Sequence, residues 1–122
     1  MPTKIQAVKD MESAAFSGNW QLCKSFLADD IYYRVGNTAE LRGAQAVVDF
    51  LINMLSTRLA ISDLKTRGAW ETEDTVILEF DATALRMRDN KNVVFPCLDV
   101  YRFGDGYIRD WRVCAIEPTH VT

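Results

Sequence analysis

The segment from Pro96 to Ala115 limits what this chain can fold into more than any other. Pro96-Cys97-Leu98-Asp99-Val100-Tyr101-Arg102-Phe103 and Tyr107-Ile108-Arg109-Asp110-Trp111-Arg112-Val113-Cys114-Ala115 flank Gly104-Asp105-Gly106. Two runs rich in β-branched and aromatic residues around a Gly-rich turn form a hairpin. One carboxylate, Asp99, stands in the middle of the first run. On a solvated face it is ordinary. On the core face it needs partners or a proton.

Cross-strand pairing decides between the faces. Val76 to Met87 reads as the preceding strand and reaches Val93–Phe103 through Arg88-Asp89-Asn90-Lys91-Asn92. A turn on Asn90-Lys91 sets Asp89 opposite Asn92, Thr83 opposite Leu98 and Glu79 opposite Arg102. The last is an acid–base pair suited to a solvated face. Phe80, Ala82, Cys97, Asp99, Tyr101 and Phe103 then share the other, apolar face. Asp99 is therefore expected to be buried or to line a cavity. Burial raises a carboxyl pKa, and a protonated acid can donate to a developing oxyanion. The competing reading is structural, with Asp99 held by a Trp or Tyr donor.

The chain has 122 residues, 48% hydrophobic and 25% charged, which suits one domain over residues 1–122 with a real core. A net charge of −3 argues against a general nucleic-acid binder. No run is apolar and long enough to span a bilayer, and no signal-peptide pattern opens the sequence. Cys23, Cys97 and Cys114 lack CxxC spacing and are expected to be reduced thiols in a cytoplasmic protein. The single His120 excludes a His-based metal cluster and a Ser-His-Asp triad. No Gly-rich phosphate loop is present, so neither metal nor cofactor is expected.

Apolar positions at Ile5, Val8, Ala15 and Phe16 predict an amphipathic helix that stops before Gly18. Asn19 is a candidate N-cap for a short second helix with Trp20, Leu22, Cys23, Phe26 and Leu27. Asp29-Asp30 breaks it, and Ile31–Val35 reads as a short strand followed by a turn at Gly36-Asn37-Thr38. A third helix starts near Gly43, with Val47, Phe50, Leu51, Met54 and Leu55 on one face. Strands follow at about 59–70, 76–87, 93–103 and 107–116. Helices followed by antiparallel strands make an α+β pattern. A curved sheet wrapped around helices leaves a cone-shaped cavity, a natural ligand site.

This order of elements resembles the NTF2-like superfamily, within it the SnoaL-like and ketosteroid-isomerase-like branch. The carriers are Gly18-Asn19-Trp20, Leu41-Arg42-Gly43 and, above all, Leu98-Asp99-Val100-Tyr101-Arg102-Phe103 with Asp105-Gly106-Tyr107-Ile108. The resemblance implies an NTF2-like cone. It matches Asp99 to the acid of the ketosteroid-isomerase oxyanion hole. The helix tyrosine of that site falls near Met11 and its base near Arg34, and neither can play the role. In the limonene-epoxide-hydrolase relatives Tyr33 matches a water-holding tyrosine, but the last aspartate falls near Val113. SnoaL-type cyclases need a single acid/base carboxylate, and Asp99 can serve.

The candidate catalytic residues are thus Asp99, Tyr33 and Arg34. Tyr33 and Arg34 are adjacent on one strand, so only one faces the cavity. Arg34 inside would pair with Asp99; Tyr33 inside would be a neutral donor. Trp20, Phe80, Cys97, Tyr101, Trp111 and Val113 are the candidate pocket residues. A three-residue turn at Gly104–Gly106 would set Trp111 across from Asp99, as an indole donor or as core filler. Asp81 is expected to face solvent. On the outer face Leu98, Val100, Ile108 and Cys114 are too apolar for free exposure and suggest a homodimer. Two functions remain: acid/base chemistry (isomerisation, cyclisation, dehydration or epoxide opening) on a small, largely apolar molecule, or a non-catalytic carrier or dimeric interaction module.

Overall fold

Each of the first two helices begins at a residue that caps it. Thr3 accepts a hydrogen bond from the Gln6 amide (3.0 Å) and opens α1 (Lys4–Phe16). Asn19 accepts from the Leu22 amide (3.2 Å) and opens α2 (Trp20–Ser25). These side chains satisfy amides that have no partner inside the helix. The third helix, α3 (Ala44–Thr57), follows Gly43 at φ +101°, a backbone conformation that glycine adopts without steric penalty. Val8, Met11 and Ala15 of α1 and Val47, Val48 and Leu51 of α3 are buried at helical spacing.

The computed structural model describes residues 3–37, 39–115 and 119–120, the last two through their backbone. Its strands are β1 (Leu27–Val35), β2 (Ala39–Arg42), β3 (Leu59–Glu71), β4 (Thr75–Arg86), β5 (Lys91–Gly104), β6 (Tyr107–Ala115) and β7 (Thr119–His120). They form one sheet in the order β2-β1-β6-β5-β4-β3, with β7 added to β5. The pairs are antiparallel except β1 with β6, which is parallel. Helices packed on a curved, mostly antiparallel sheet make the α+β architecture implied by the sequence. The strand that carries Asp99 is central, with β4 on one side and β6 on the other.

Both hairpins differ in register from expectation. Between β4 and β5, Thr83 lies opposite Val94, Glu79 opposite Leu98 and Thr75 opposite Arg102, so the Glu79–Arg102 pair does not form. The connection is the four residues Met87-Arg88-Asp89-Asn90, with Asn90 at φ +58°. Arg86 braces it by donating to both Asp89 oxygens (3.1 and 2.8 Å). The slip is an even number of residues, so the faces survive: Phe80, Ala82, Cys97, Asp99 and Tyr101 all point inward and are buried.

Between β5 and β6 the turn is the two residues Asp105-Gly106, both at positive φ (+54° and +83°). The register then shifts, with Phe103 opposite Ile108 but Arg102 opposite Asp110. The extra residue, Arg109, is a bulge. It lets Ile108 and Trp111, three positions apart, both face the core, at 0% and 5% exposure. Ile108 therefore does not belong to the outer face. Its amide donates to the Phe26 carbonyl (2.9 Å), under the end of α2. Trp111 lies opposite Tyr101, and Asp99 opposite Val113.

The first strand is longer than expected, because Asp29-Asp30 runs within an irregular start of β1 instead of ending a helix. Asp30 is held there by Arg109 (3.0 Å). The short β2, which pairs with β1, had no clear signal in the sequence. Ile116, expected at the end of the last long strand, and Thr38 of the expected turn lie outside the described residues.

Candidate functional site

A cavity of about 340 Å³ lies between α1, α3 and the inner face of the sheet. Its walls are mostly apolar, with Phe16, Phe50, Met54, Leu64, Phe80 and Phe95 among them. The groups that break this surface are Glu12, Tyr33, Arg58, Cys97, Asp99 and Trp111. Alternation along β1 puts Ile31, Tyr33 and Val35 toward the core and Tyr32 and Arg34 away from it.

Asp99 is 2% exposed, the one charged residue type among the buried side chains described. Its Oδ2 accepts from the Trp111 indole Nε1 (3.2 Å) and from the Tyr101 hydroxyl (3.1 Å). Its Oδ1 is buried with no hydrogen-bond partner among the described residues. The Tyr101 hydroxyl also lies 3.2 Å from Oε2 of Glu12 on α1. A phenol has one proton to donate. Two carboxylates cannot both be satisfied by it, so one contact calls for a proton on a carboxyl group.

The electrostatics agree. Burial pushes the Asp99 pKa up to about 7, against the pull of its hydrogen bonds from Trp111 and Tyr101. Burial, and then the charge of Asp99, push Glu12 up to about 8, against the Tyr101 hydrogen bond and the Lys9 charge. Near neutral pH this pair retains protons that exposed carboxyls would have lost. Burial, with the charge of Asp99, also keeps the Tyr33 and Tyr101 phenols neutral. Cys97 is pushed up to about 12 by burial and by the nearby acids, so it lines the cavity as a thiol, not as a nucleophilic thiolate. Among the described residues no three His, Cys, Asp or Glu side chains converge as a metal site.

Six of the residues read from the sequence meet at this cavity: Asp99, Tyr33, Phe80, Cys97, Trp111 and Val113. Three do not line it. Arg34 faces outward, donating to the Gly36 carbonyl (2.8 Å) and reaching Asn37 (3.4 Å), because the strand alternation that brings Tyr33 in turns it out. Trp20 packs on the edge of the core instead of over the cavity. Tyr101 is fully buried outside the cavity lining and meets the site through its hydroxyl on Asp99 and its ring on Trp111. Asp81 lies on the outer side, held by Arg67 (2.8 Å). Glu12 and Arg58 line the cavity without having been read as candidates. For Glu12 a signal existed: it lies four residues after Val8, on the apolar stripe of α1.

The model of the SnoaL-like domain family matches residues 8–111. A comparison with curated proteins gave no match. Among solved structures, an NTF2-like protein of Burkholderia thailandensis aligns with a TM-score of 0.82 at 19% identity, over 95% of this chain and 92% of that one. An NTF2-like protein of Burkholderia pseudomallei aligns with a TM-score of 0.82 at 16% identity, over 93% and 90%. An LEH-like epoxide hydrolase of M. tuberculosis aligns with a TM-score of 0.77 at 21% identity, over 92% and 81%. At these identities the likeness is one of fold.

Proposed function

Since the chain belongs to the SnoaL-like domain family, we propose that it binds a small, largely apolar organic molecule in this cavity and moves a proton on it, with Asp99 as the acid/base. The observation that carries the proposal is Oδ1 of Asp99, a buried oxygen without a partner on a residue that lines the cavity. Such an atom is destabilising unless something completes it. A ligand carbonyl, epoxide oxygen or hydroxyl would do so.

When protonated, Asp99 donates to that oxygen. When ionised, it takes a proton from the ligand, and Trp111 and Tyr101 stabilise its charge at Oδ2. Glu12 can restore the proton through Tyr101: the carboxyl gives its proton to the phenol oxygen as the phenol gives its own to Asp99. Tyr33 supplies a neutral wall beside them. This chemistry suits isomerisation, cyclisation, dehydration or epoxide opening, without a cofactor.

The test is a screen of small ketones, epoxides and polyketide-like esters for turnover, followed by Asp99→Asn. The amide preserves size and hydrogen bonding but cannot shuttle a proton. Turnover should fall by about 10²- to 10⁴-fold while ligand binding persists. Full activity in Asp99→Asn would eliminate the acid/base role and leave the reading of a carrier.

The same proposal makes the protein a cytoplasmic homodimer, its three cysteines free thiols. Trp70, Ile77 and Val100 form one cross-strand row on the outer face, and Leu98 lies beside it. Trp70 and Leu98 are 53% and 41% exposed. An apolar strip of this kind fits a second copy of the sheet. Light scattering should give twice the chain mass at micromolar concentration, and Val100→Asp should shift it toward the monomer. A wild-type monomer, or a dimer indifferent to Val100→Asp, rejects this interface.

A further inference from the structure

We infer that Arg58 anchors the anionic end of the ligand, so that the cavity takes a monocarboxylate with an apolar body. This deepens the ligand-site reading above and rests on it. Arg58 is the C-cap of α3, and its backbone is pinned on both sides. Its amide donates to the Met54 carbonyl and its carbonyl accepts from the Met87 amide, both at 2.9 Å. Its side chain has no partner among the described residues. Arg67, Arg86, Arg109 and Arg112 each hold a carboxylate. Arg58 is also the one basic residue among those described that line the cavity. A positive charge near a helix C-terminus is favourable in itself, which accounts for an arginine there but not for one that lines an apolar cavity.

The two polar ends of the cavity are set apart along α3. Phe50 marks the acid end: its ring lies 5.7 Å from that of Tyr33, which lies 4.8 Å from that of Trp111, the indole that holds Asp99. Arg58 follows eight residues later, about 12 Å along the helix axis. Leu51, Met54 and Leu55 line the interval. An anion beside Asp99 and Glu12 would sit in an apolar wall with two further acids and, among the described residues lining that end, no cation; beside Arg58 it meets an opposite charge. The cavity thus orients a chain of about eight carbons, with its carboxylate at the exposed guanidinium and its body directed toward the acids. On this reading the substrate is an oxygenated carboxylic acid, its reactive oxygen distant from its carboxylate.

Octanoate, 1-octanol and octylammonium, matched in length, separate charge recognition from apolar fit. Binding to the whole chain is followed by calorimetry and by intrinsic tryptophan fluorescence, to which Trp111 in the cavity wall contributes. Octanoate should bind about fivefold or more tightly than 1-octanol, and octylammonium more weakly than both. Arg58→Gln, a change at an exposed side chain, should bring octanoate down to the level of 1-octanol and leave 1-octanol unchanged. Asp99→Asn should not reduce the octanoate preference. If octanoate and 1-octanol bind alike to the wild type, or Arg58→Gln affects neither or both, the Arg58 inference fails while the cavity remains a ligand site. A preference lost in Asp99→Asn would put the carboxylate at the wrong end and overturn the inference too. If none of the three binds, the ligand-site reading falls with it.

Discussion

Between about pH 4 and pH 8 the protein should lose resistance to unfolding, and Asp99→Asn should remove a large share of that loss, Glu12 supplying the rest. Asp99 moves from an ordinary value of 3.8 to about 7 on folding, and Glu12 from 4.5 to about 8. Both are raised, so the folded protein holds protons that the unfolded chain releases. Raising the pH then favours the unfolded chain. The contribution is complete below the unfolded values and is lost as the pH passes through the folded ones. For Asp99 alone a shift of this size corresponds to an upper figure of about 4 kcal/mol. Asparagine is neutral throughout, and its oxygen can still accept from Trp111 and Tyr101. Asp99→Asn should therefore match the wild type within about 1 kcal/mol near pH 4 and exceed its stability near pH 8. Calorimetric melts across the range measure this. A flat wild-type profile, or an unchanged slope in the variant, would contradict the burial of a protonated acid.

The second large effect is on Trp111. It is almost wholly buried, stacks on Tyr101 (5.3 Å between centroids) and meets Tyr33 edge-on (4.8 Å). Trp111→Ala should lower stability by about 3–5 kcal/mol, the usual cost of truncating a large buried aromatic. Denaturant titration checks it, and a midpoint equal to that of the wild type would disprove the packing. Trp111→Phe should be milder in stability but informative in charge. Removing the indole N–H takes away one of the hydrogen bonds that hold the Asp99 pKa down, so the carboxyl should titrate higher still. Carboxyl NMR of the two proteins reads the difference.

The face of Asp99 was legible because strand alternation carries parity, and parity survives any even slip. Phe80, Cys97 and Asp99 share the inner face although the residues opposite them are four positions from those expected. The register itself depends on Asn90 at positive φ and on the Arg86–Asp89 brace, which composition does not announce. The choice between Tyr33 and Arg34 could have been made from Ile31, Tyr33 and Val35, three apolar or aromatic residues at period two. Glu12 was less visible, because one carboxylate on a helix stripe usually turns out to solvent. Only the approach of α1 to Tyr101, which is 89 positions away in sequence, makes it part of the site. Trp20 failed for the opposite reason, as a large aromatic beside a turn that has other core to cover.

The bulge at Arg109 gives β6 two different phases. Before it, Ile108 seals the layer beneath α2; after it, Trp111 reaches the acid. The bulge therefore absorbs a change of length that strand parity would otherwise forbid. Losing Arg109 would leave Ile108 and Trp111 two positions apart, the spacing at which a regular strand presents both to one face, so the indole would still meet the acid and the loss would fall on the contacts of Arg109 with Asp30 and Asp105. Among relatives of this fold, a one-residue deletion at this point would straighten the strand and leave the donor facing the acid in place.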